Sequence, residues 1–283
     1  MYKIMTAGPT QVRENVRMAR SLETTNPDLD VAFCEFYKET CDLLQELLHS
    51  SGTAYILGGE GILGLEAACA SLTEPGDRVL VLDNGIFGKG FADFAKMYGG
   101  EPVLFTSDYQ KPIDAAELRA FLEKDSDFKY ATVVHCDTPS GVINDVSVIC
   151  PMLAEFGILS VVDSVAGMFG EYVNVDESQI DILCGGSQKA LSAPAGLTML
   201  WVSDKAMAAM ENRKTPIAAF YANILTFKTY YEDKWFPYTM PISDINGLRV
   251  AVDNVKAEPD IVERHAKIAA ATRQAVRKAG LSL

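Results

Sequence analysis

Lys189 stands in a sequence setting that is unusual for a lysine. It belongs to GGSQKALSAPAG (185–196), where glycine, serine and glutamine surround it directly after the apolar run IDILC. A lysine that is partly removed from water favours its neutral amine, the nucleophilic form that condenses with carbonyl compounds. The segment alone also permits an ordinary exposed loop lysine. Lys189 is therefore a candidate imine-forming residue whose role depends on its partners.

Asp163 is the first candidate partner for that lysine. It ends ILSVVD (158–163), a largely apolar run that indicates a strand buried on both faces. A carboxylate at such a strand end is costly unless it meets a cation or a hydrogen-bond donor, although it can also cap a helix. Lys189 follows one strand-containing unit later, so both side chains can face one cleft.

A glycine-rich turn, GGEG (58–61), supplies a third feature. It lies between a strand-like run and a helical pattern, where free backbone amides at a helix N-terminus can hold a phosphate. Alone the turn is a weak signal, because it lacks both the P-loop lysine and the spaced glycines of dinucleotide sites. An amine, a buried carboxylate and a phosphate cradle together match the needs of pyridoxal 5'-phosphate.

The elements that must position these residues alternate along the chain. Short apolar runs indicate strands at 54–58, 78–82, 102–105, 130–136, 158–163, 180–184 and 197–202. Helix-like segments lie near 62–72, 88–98, 114–124, 147–156 and 204–212. This alternation predicts an α/β fold with a largely parallel sheet, in which ligands bind at the carboxyl ends of the strands.

Length and composition limit the class of protein. The 283 residues suffice for one large or two ordinary domains, and a net charge of −13 argues against a nucleic-acid or anionic-membrane partner. No apolar run reaches the roughly 18 residues of a membrane helix, and the N-terminus lacks the pattern of a secretory signal. Six cysteines without a CxxC pair and three dispersed histidines indicate no metal site and a reducing compartment, so a cytoplasmic protein is expected.

The most specific motif is SQKALSAPAGL, which follows DSVAG and is accompanied by NGIFGKG and AGPTQV. With these strings the chain resembles, over nearly its whole length, the class V aminotransferases of the fold-type-I pyridoxal-phosphate enzymes, above all the alanine–glyoxylate and serine–glyoxylate aminotransferases. The resemblance implies the large domain of that fold, with α/β/α layers around a mostly parallel mixed sheet, and pyridoxal 5'-phosphate as cofactor.

The resemblance also implies an organisation of the chain. We expect an N-terminal arm at 1–20, a large cofactor-binding domain at 21–257, and a linker helix at 258–283 that begins a small C-terminal domain largely absent from this chain. The family carries an arginine for the substrate carboxylate in that domain, so we expect the arginine beyond residue 283. Arg249 lies in a helical pattern and is expected to be structural.

Residue roles around the ring follow from the same resemblance. Lys189 matches the Schiff-base lysine and Asp163 the partner of the pyridine nitrogen. Phe87 of NGIFG matches an aromatic residue stacked on the ring, although an ordinary core phenylalanine fits the sequence too. Val165 matches the residue on the opposite ring face, and Thr138 of DTPSG matches a hydroxyl residue near the phenolic oxygen.

The phosphate end of the site contains one departure from the family. Gln188 and the helix-terminal amides of Gly61 and Ile62 match phosphate-binding groups. Glu60 stands where the family often has a small hydroxyl residue. Because a carboxylate repels a phosphate dianion, we expect Glu60 to point away from it, or to pair with a cation or a substrate amine.

The aromatic-rich segment 220–242 indicates contact with a second subunit. Thr239 of WFPYTMPI matches a threonine that reaches the phosphate of the neighbouring subunit's cofactor, and Tyr238 is a weaker candidate beside it. The resemblance therefore implies a homodimer with shared active sites. A loop packed internally by its own aromatic residues is the alternative.

The function that these features predict is transamination between a small amino acid of the alanine or serine type and a 2-oxo acid such as glyoxylate or pyruvate. Two enzymes of the same fold are alternatives, a 2-aminoethylphosphonate transaminase and a lyase resembling cysteine desulfurase. The lyase requires a ring-stacking histidine where Phe87 stands. A dimeric scaffold that binds the cofactor without turnover is the non-enzyme alternative.

Overall fold

The fold of residues 3–282, which the computed structural model describes, is built on one seven-stranded sheet. The strands are β1 (Thr53–Gly58), β2 (Arg78–Asp83), β3 (Glu101–Thr106), β4 (Tyr130–Val134), β5 (Leu159–Asp163), β6 (Ile182–Gly186) and β7 (Leu197–Val202). Their order in the sheet is β1-β7-β6-β5-β4-β2-β3. The seven apolar runs of the sequence thus correspond to the seven strands, and the predicted α/β fold class is confirmed.

The sheet is mostly parallel because only β7 runs against the others. β7 pairs in antiparallel fashion with both β1 and β6, whereas the pairs from β6 through β5, β4 and β2 to β3 are parallel. Every residue of β4, β6 and β7 is buried. Continuous burial on both faces explains why these strands appear in the sequence as unbroken apolar runs.

Helices cover both faces of the sheet. They are α1 (Glu14–Ala19), α2 (Val31–Leu47), α3 (Gly61–Leu72), α4 (Ile86–Met97), α5 (Ala115–Leu122), α6 (Val146–Glu155), α7 (Asp204–Glu211), α8 (Tyr230–Asp233), α9 (Ile242–Lys256) and α10 (Ile261–Lys278). The crossover through α4 steps from β2 to β3, and that through α6 steps from β4 to β5 in the opposite direction. Right-handed crossovers therefore place α4 and α6 on opposite faces, which gives the α/β/α layers.

The reversal of direction next to β4 creates a crevice at the carboxyl ends of the strands. Chains leaving β2 and β4 diverge there, because one crossover turns toward β3 and the other toward β5. Such a point in an open α/β sheet is the usual position of a ligand site. The loops after β1, β2, β4, β5 and β6 all open on this side.

The segment between α7 and α9 is largely irregular, as its sequence predicts. It contains a short 3-10 helix (Ile224–Phe227) and the single turn of α8. Its aromatic residues pack against α2, since the ring of Tyr37 lies edge-on to Tyr230 and to Phe236, with centroids 4.9 Å apart in each pair. These contacts lie within one subunit, so part of the segment 220–242 is packed internally, as the alternative to an interface segment expects.

The helices of the described chain include none that combines the length and apolar character needed to cross a bilayer. Residues 1, 2 and 283, which belong to the predicted terminal segments, lie outside the described residues. The helix α10 occupies most of the predicted linker at 258–283.

Tyr37 of α2 protects the free edge of β1. Its hydroxyl accepts a hydrogen bond from Ile56 N (2.7 Å) and donates one to Ile56 O (2.8 Å), and the side chain is fully buried. Both backbone groups face away from β7, so the hydroxyl replaces the strand that is missing on this side. A buried amide and carbonyl left without partners are costly.

Replacing Tyr37 with phenylalanine removes only this hydroxyl. We expect Tyr37→Phe to lower the free energy of unfolding by about 1–3 kcal/mol, because two buried backbone groups lose their partner. Urea denaturation measures the change. Tyr172→Phe is the control, since that tyrosine is exposed and its variant should stay within about 0.5 kcal/mol of the parent. Equal stability of the two variants would contradict the role assigned to Tyr37.

Candidate active site

A cavity of about 130 Å³ lies at the carboxyl ends of the strands. It is lined by residues from five loops, namely Glu60, Gly61, Ile62, Leu65, Phe87, Cys136, Thr138, Asp163, Val165, Ala166, Gln188 and Lys189. Nine of the eleven residues predicted for the site are in this set. The fold thus brings together side chains that are up to about 130 positions apart in the sequence.

Lys189 follows β6 in a tightly bonded loop. Ser187 anchors the loop, because its amide donates to Leu197 O (3.1 Å) and its hydroxyl donates to Pro194 O (2.6 Å). The amide of Ser192 donates back to Lys189 O (2.9 Å), which closes a turn immediately after the lysine. Lys189 is half-buried and lines the cavity. The hydrogen bonds of the loop hold its backbone in place.

Asp163 is the buried charge of the cavity. It is the last residue of β5, its exposed fraction is 6%, and Oδ1 accepts a hydrogen bond from Val165 N at 2.9 Å. Burial raises the pKa of this carboxyl to about 6, while the Val165 amide and the nearby Lys189 amine act in the opposite direction. A carboxylate held here is therefore short of positive partners and favours a cationic hydrogen-bond donor.

Two apolar walls of the cavity come from Val165 and Phe87. A side-chain carbon at Gly61 would lie 2.7 Å from Val165 Cγ2, so only glycine lets the start of α3 approach this wall so closely. Phe87 lies in the first turn of α4 with an exposed fraction of 36%. The phenylalanine lines the cavity and is not an ordinary core residue.

Thr138 is positioned by the loop that follows β4. Within this loop Asp137 Oδ2 accepts hydrogen bonds from the Ser140 amide (3.1 Å) and hydroxyl (2.7 Å). A β-bridge between Cys136 and Ile143 closes the base of the loop. The threonine is thereby fixed on the side of the cavity nearest α4.

Glu60 occupies the N-terminus of α3. Its Oε1 accepts a hydrogen bond from Ile62 N (3.1 Å), and its Oε2 accepts one from Gln188 Nε2 (3.2 Å). The carboxylate turns toward these donors and forms no salt bridge with a cation of residues 3–282, while its expected position relative to a phosphate or a substrate amine stays a prediction. The physical reason is that amides at a helix N-terminus stabilise any nearby anion, including the protein's own.

The cavity fits pyridoxal 5'-phosphate at its ring end. Asp163 offers an acceptor for a protonated ring nitrogen, Val165 and Phe87 offer apolar faces, and Lys189 offers an amine. At the phosphate end the α3 amides and Gln188 are suitable donors, although Glu60 uses two of them. Gln188 Oε1 is buried without a hydrogen-bond partner among the described residues, which marks a polar position open to a ligand.

Thr239 and Tyr238 do not line this cavity. Thr239 is exposed and its hydroxyl donates to Asp28 Oδ2 (2.8 Å). Tyr238 stacks on Tyr221, with centroids 4.4 Å apart, and its buried hydroxyl has no partner among the described residues. Their expected role concerns the cofactor of a neighbouring subunit and stays a prediction.

Other residues of the site were not predicted. Leu65, Cys136 and Ala166 line the cavity, and each stands within a few positions of a predicted residue. Gly8 lies against the side chain of Lys189, and its only sequence signal is the motif AGPTQV. Arg249 lies in α9, where it bonds Asp253 (3.2 Å), as expected of a structural arginine.

The raised pKa of Asp163 predicts a pH dependence of stability in the cofactor-free protein. A carboxyl whose pKa rises from 3.8 to about 6 on folding stabilises the fold below pH 3.8, and this contribution is lost as the pH rises through 6. Asp163→Asn removes the titration but keeps an acceptor for Val165 N. We therefore expect the variant to gain about 2–3 kcal/mol relative to the parent between pH 4 and pH 7.

Urea denaturation at both pH values measures that gain. Asp93→Asn, at an exposed position of α4, is the control and should differ from the parent equally at pH 4 and pH 7. A parallel response of Asp163→Asn and the parent would show that the carboxyl titrates alike in the folded and unfolded chains.

Comparison with known proteins places the chain in a family. A family model of class V aminotransferases matches residues 25–279. The pyridoxamine–pyruvate transaminase of Mesorhizobium japonicum is 37% identical over 282 residues, which cover 99% of this chain and 72% of that protein.

Two solved structures have the same fold. The pyridoxamine–pyruvate aminotransferase of Mesorhizobium loti has a TM-score of 0.92 at 35% identity, covering 98% of this chain and 71% of that one. The alanine–glyoxylate aminotransferase of Nostoc sp. has a TM-score of 0.94 at 26% identity, covering 98% of this chain and 74% of that one. The chain therefore belongs to the class V aminotransferases, the pyridoxal 5'-phosphate-dependent transferases that its sequence resembles.

Proposed function

We propose that this chain transfers an amino group from a small amino donor of the alanine or serine type to a small 2-oxo acid such as pyruvate or glyoxylate. The observation that carries the proposal is the presence of Lys189 and the buried Asp163 in one cavity with two apolar walls. The two structural relatives support the acceptors, because one is a pyridoxamine–pyruvate and the other an alanine–glyoxylate aminotransferase.

In this proposal the reaction divides between the cofactor and the protein. When bound, pyridoxal 5'-phosphate supplies a carbonyl carbon that condenses with amines and a protonated ring that withdraws electrons. Asp163 holds the proton on the ring nitrogen through its free oxygen. Lys189 Nζ would take the proton from the donor Cα and deliver it to the cofactor carbon that carried the carbonyl, so one amine would serve as base and as acid.

The other cavity residues orient the reactants. Val165 and Phe87 hold the ring between them and exclude water from its faces. Thr138 would bond the phenolic oxygen. The amides of Gly61 and Ile62 and the side chain of Gln188 would bind the anionic end, once Glu60 releases them.

We also propose a homodimer in which Thr239 approaches the cofactor of the neighbouring subunit and Tyr238 supports it. The exposure of Thr239 outside its own cavity supports this arrangement. Large exposed side chains on the same segment, Phe220, Tyr221 and Trp235, are of the type found at interfaces.

The division of the chain also remains a proposal, with an arm at 1–20, a large domain at 21–257 and a linker at 258–283. Packing of α1 on α9 shows that the arm and the large domain contact each other. The six free cysteines support the cytoplasm as the compartment.

Pyridoxamine is a second candidate donor, and Glu60 favours it. The carboxylate of Glu60 already satisfies Ile62 N and Gln188 Nε2, the donors that a phosphate requires. A bound phosphate dianion must displace this anion or lie beside it, whereas a ring without phosphate leaves it in place. The Mesorhizobium relatives, which are pyridoxamine–pyruvate transaminases, also support this donor.

Replacing Lys189 with alanine tests the proposed function. We expect Lys189→Ala to form no covalent adduct with pyridoxal phosphate that borohydride can trap, and to lose transfer activity at least about 10²-fold, since the base is removed. Mass spectrometry of the reduced protein measures the adduct. Lys205→Ala, at an exposed lysine of α7, should label like the parent. A labelled Lys189→Ala protein would overturn the assignment.

Absorbance of the cofactor-loaded protein identifies the donor. Addition of single amino acids should bleach the band of the lysine-bound cofactor only for true donors. Pyridoxamine, whose ring would occupy the cavity itself, is assayed instead in the cofactor-free protein by the pyridoxal that it yields with pyruvate. A band that no candidate donor changes would favour the non-catalytic scaffold.

Replacing Glu60 tests the second candidate. We expect Glu60→Ser and Glu60→Gln to raise the affinity for pyridoxal phosphate relative to pyridoxal by about tenfold or more, because a negative charge leaves the phosphate position. Equilibrium titration of each compound, followed by absorbance, measures the ratio. An unchanged ratio in both variants would exclude a role of Glu60 in choosing between the two forms.

A further inference from the structure

The segment at residues 6–10 of the N-terminal arm lies directly on the loop that carries Lys189. The amide of Thr10 donates to Gln188 O (2.9 Å), and its hydroxyl donates to Lys189 O (2.7 Å). The hydroxyl of Thr6 donates to Pro9 O (3.0 Å), which closes the segment on itself. The arm is thus bonded to the backbone of the lysine itself.

Gly8 brings the arm into contact with the lysine side chain. Its φ of +147° lies in the region that glycine adopts most readily. A side-chain carbon at this position would stand 2.5 Å from Lys189 Cδ, 2.7 Å from Nζ and 2.8 Å from Cε. These separations are far below the usual contact distance of about 3.5–4.0 Å between carbon atoms.

The clash itself would move the amine, because the three atoms belong to the far end of a flexible side chain that can rotate away. The φ of +147° adds backbone strain to any residue larger than glycine at this position, so stability is measured alongside the reaction. The same atoms include Nζ, the atom that the proposed function requires at a defined place in the cavity. A displacement of about 1 Å in a reacting group is enough to reduce rates about 100-fold.

We propose that Gly8 is a positioning residue for Lys189, whose side chain it holds in the cavity by presenting bare backbone as a wall. Val165 lines the same cavity, and Asp163 provides the nearby counter-charge. Thr10 supports the wall through its hydrogen bond to Lys189 O. This inference rests on the proposed function, because it assigns the reacting amine to Lys189.

Gly8→Ala tests the proposal, with Gly157→Ala as its matched control. Gly157 also has a positive φ (+74°), but no atom of the described chain lies within 4 Å of an added side-chain carbon. The rate at which each protein forms its borohydride-trapped adduct with pyridoxal phosphate is measured between pH 6 and pH 10. We expect Gly8→Ala to react at least about tenfold more slowly and with a shifted pH midpoint, while Gly157→Ala reacts like the parent.

Thr10→Val provides a second variant in case Gly8→Ala does not fold. It removes the hydroxyl that bonds Lys189 O, and we expect adduct formation to slow at least about threefold, with Thr10→Ser close to the parent. Thermal unfolding of all variants separates local displacement from loss of structure.

The outcomes distinguish this inference from the proposed function. Parent-like rates and pH profiles in folded Gly8→Ala, or in Thr10→Val where Gly8→Ala is unfolded, would overturn the positioning role. An adduct in the parent at a lysine other than Lys189 would overturn the proposed function itself.

Discussion

The architecture of the site depends on one buried negative charge. Asp163 stands at the end of a strand that is covered on both faces, with a single backbone amide as its observed partner. Such a residue weakens the fold at neutral pH, and in the proposed function a protonated ring nitrogen would supply its missing positive partner. The lysine, the apolar walls and Gly61 line the same cavity as this carboxylate.

Close approach of backbone to side chain is the second constraint. Gly61 admits the start of α3 against Val165, and Gly8 admits the arm against Lys189. The parallel sheet provides the frame, because its crossovers direct successive loops to the same edge. The cavity is consequently formed by loop segments that approach one another closely where a glycine leaves the backbone without a side chain.

The sequence predicted the strands and the two charged residues well, because continuous apolar runs mark strands buried on both faces. Lys189 and Asp163 stood out since polar residues at the ends of such runs are rare. The orientation of Glu60 was not predicted: charge repulsion was considered, but the attraction of the helix amides was not. Gly8 was missed because its contact with Lys189 spans most of the chain, and no local pattern records such a distance.

The N-terminal arm is a second feature whose position the sequence could not predict. Its motif AGPTQV contributed to the resemblance, yet nothing in those letters shows which loop they would contact. Only the folded chain shows that the hydroxyl of Thr10 meets the carbonyl of Lys189. Local propensity decides which elements form, whereas the docking of a terminal segment depends on surfaces that the rest of the chain must first create.

The closing of the β1 edge by Tyr37 has a consequence for self-association. An open strand edge recruits strands from other molecules, but here the amide and carbonyl of Ile56 are already occupied. At the opposite edge, β3 carries Pro102, which has no amide hydrogen to offer. Continuous sheets between molecules, and the amyloid-like growth that follows from them, are thereby disfavoured at both margins.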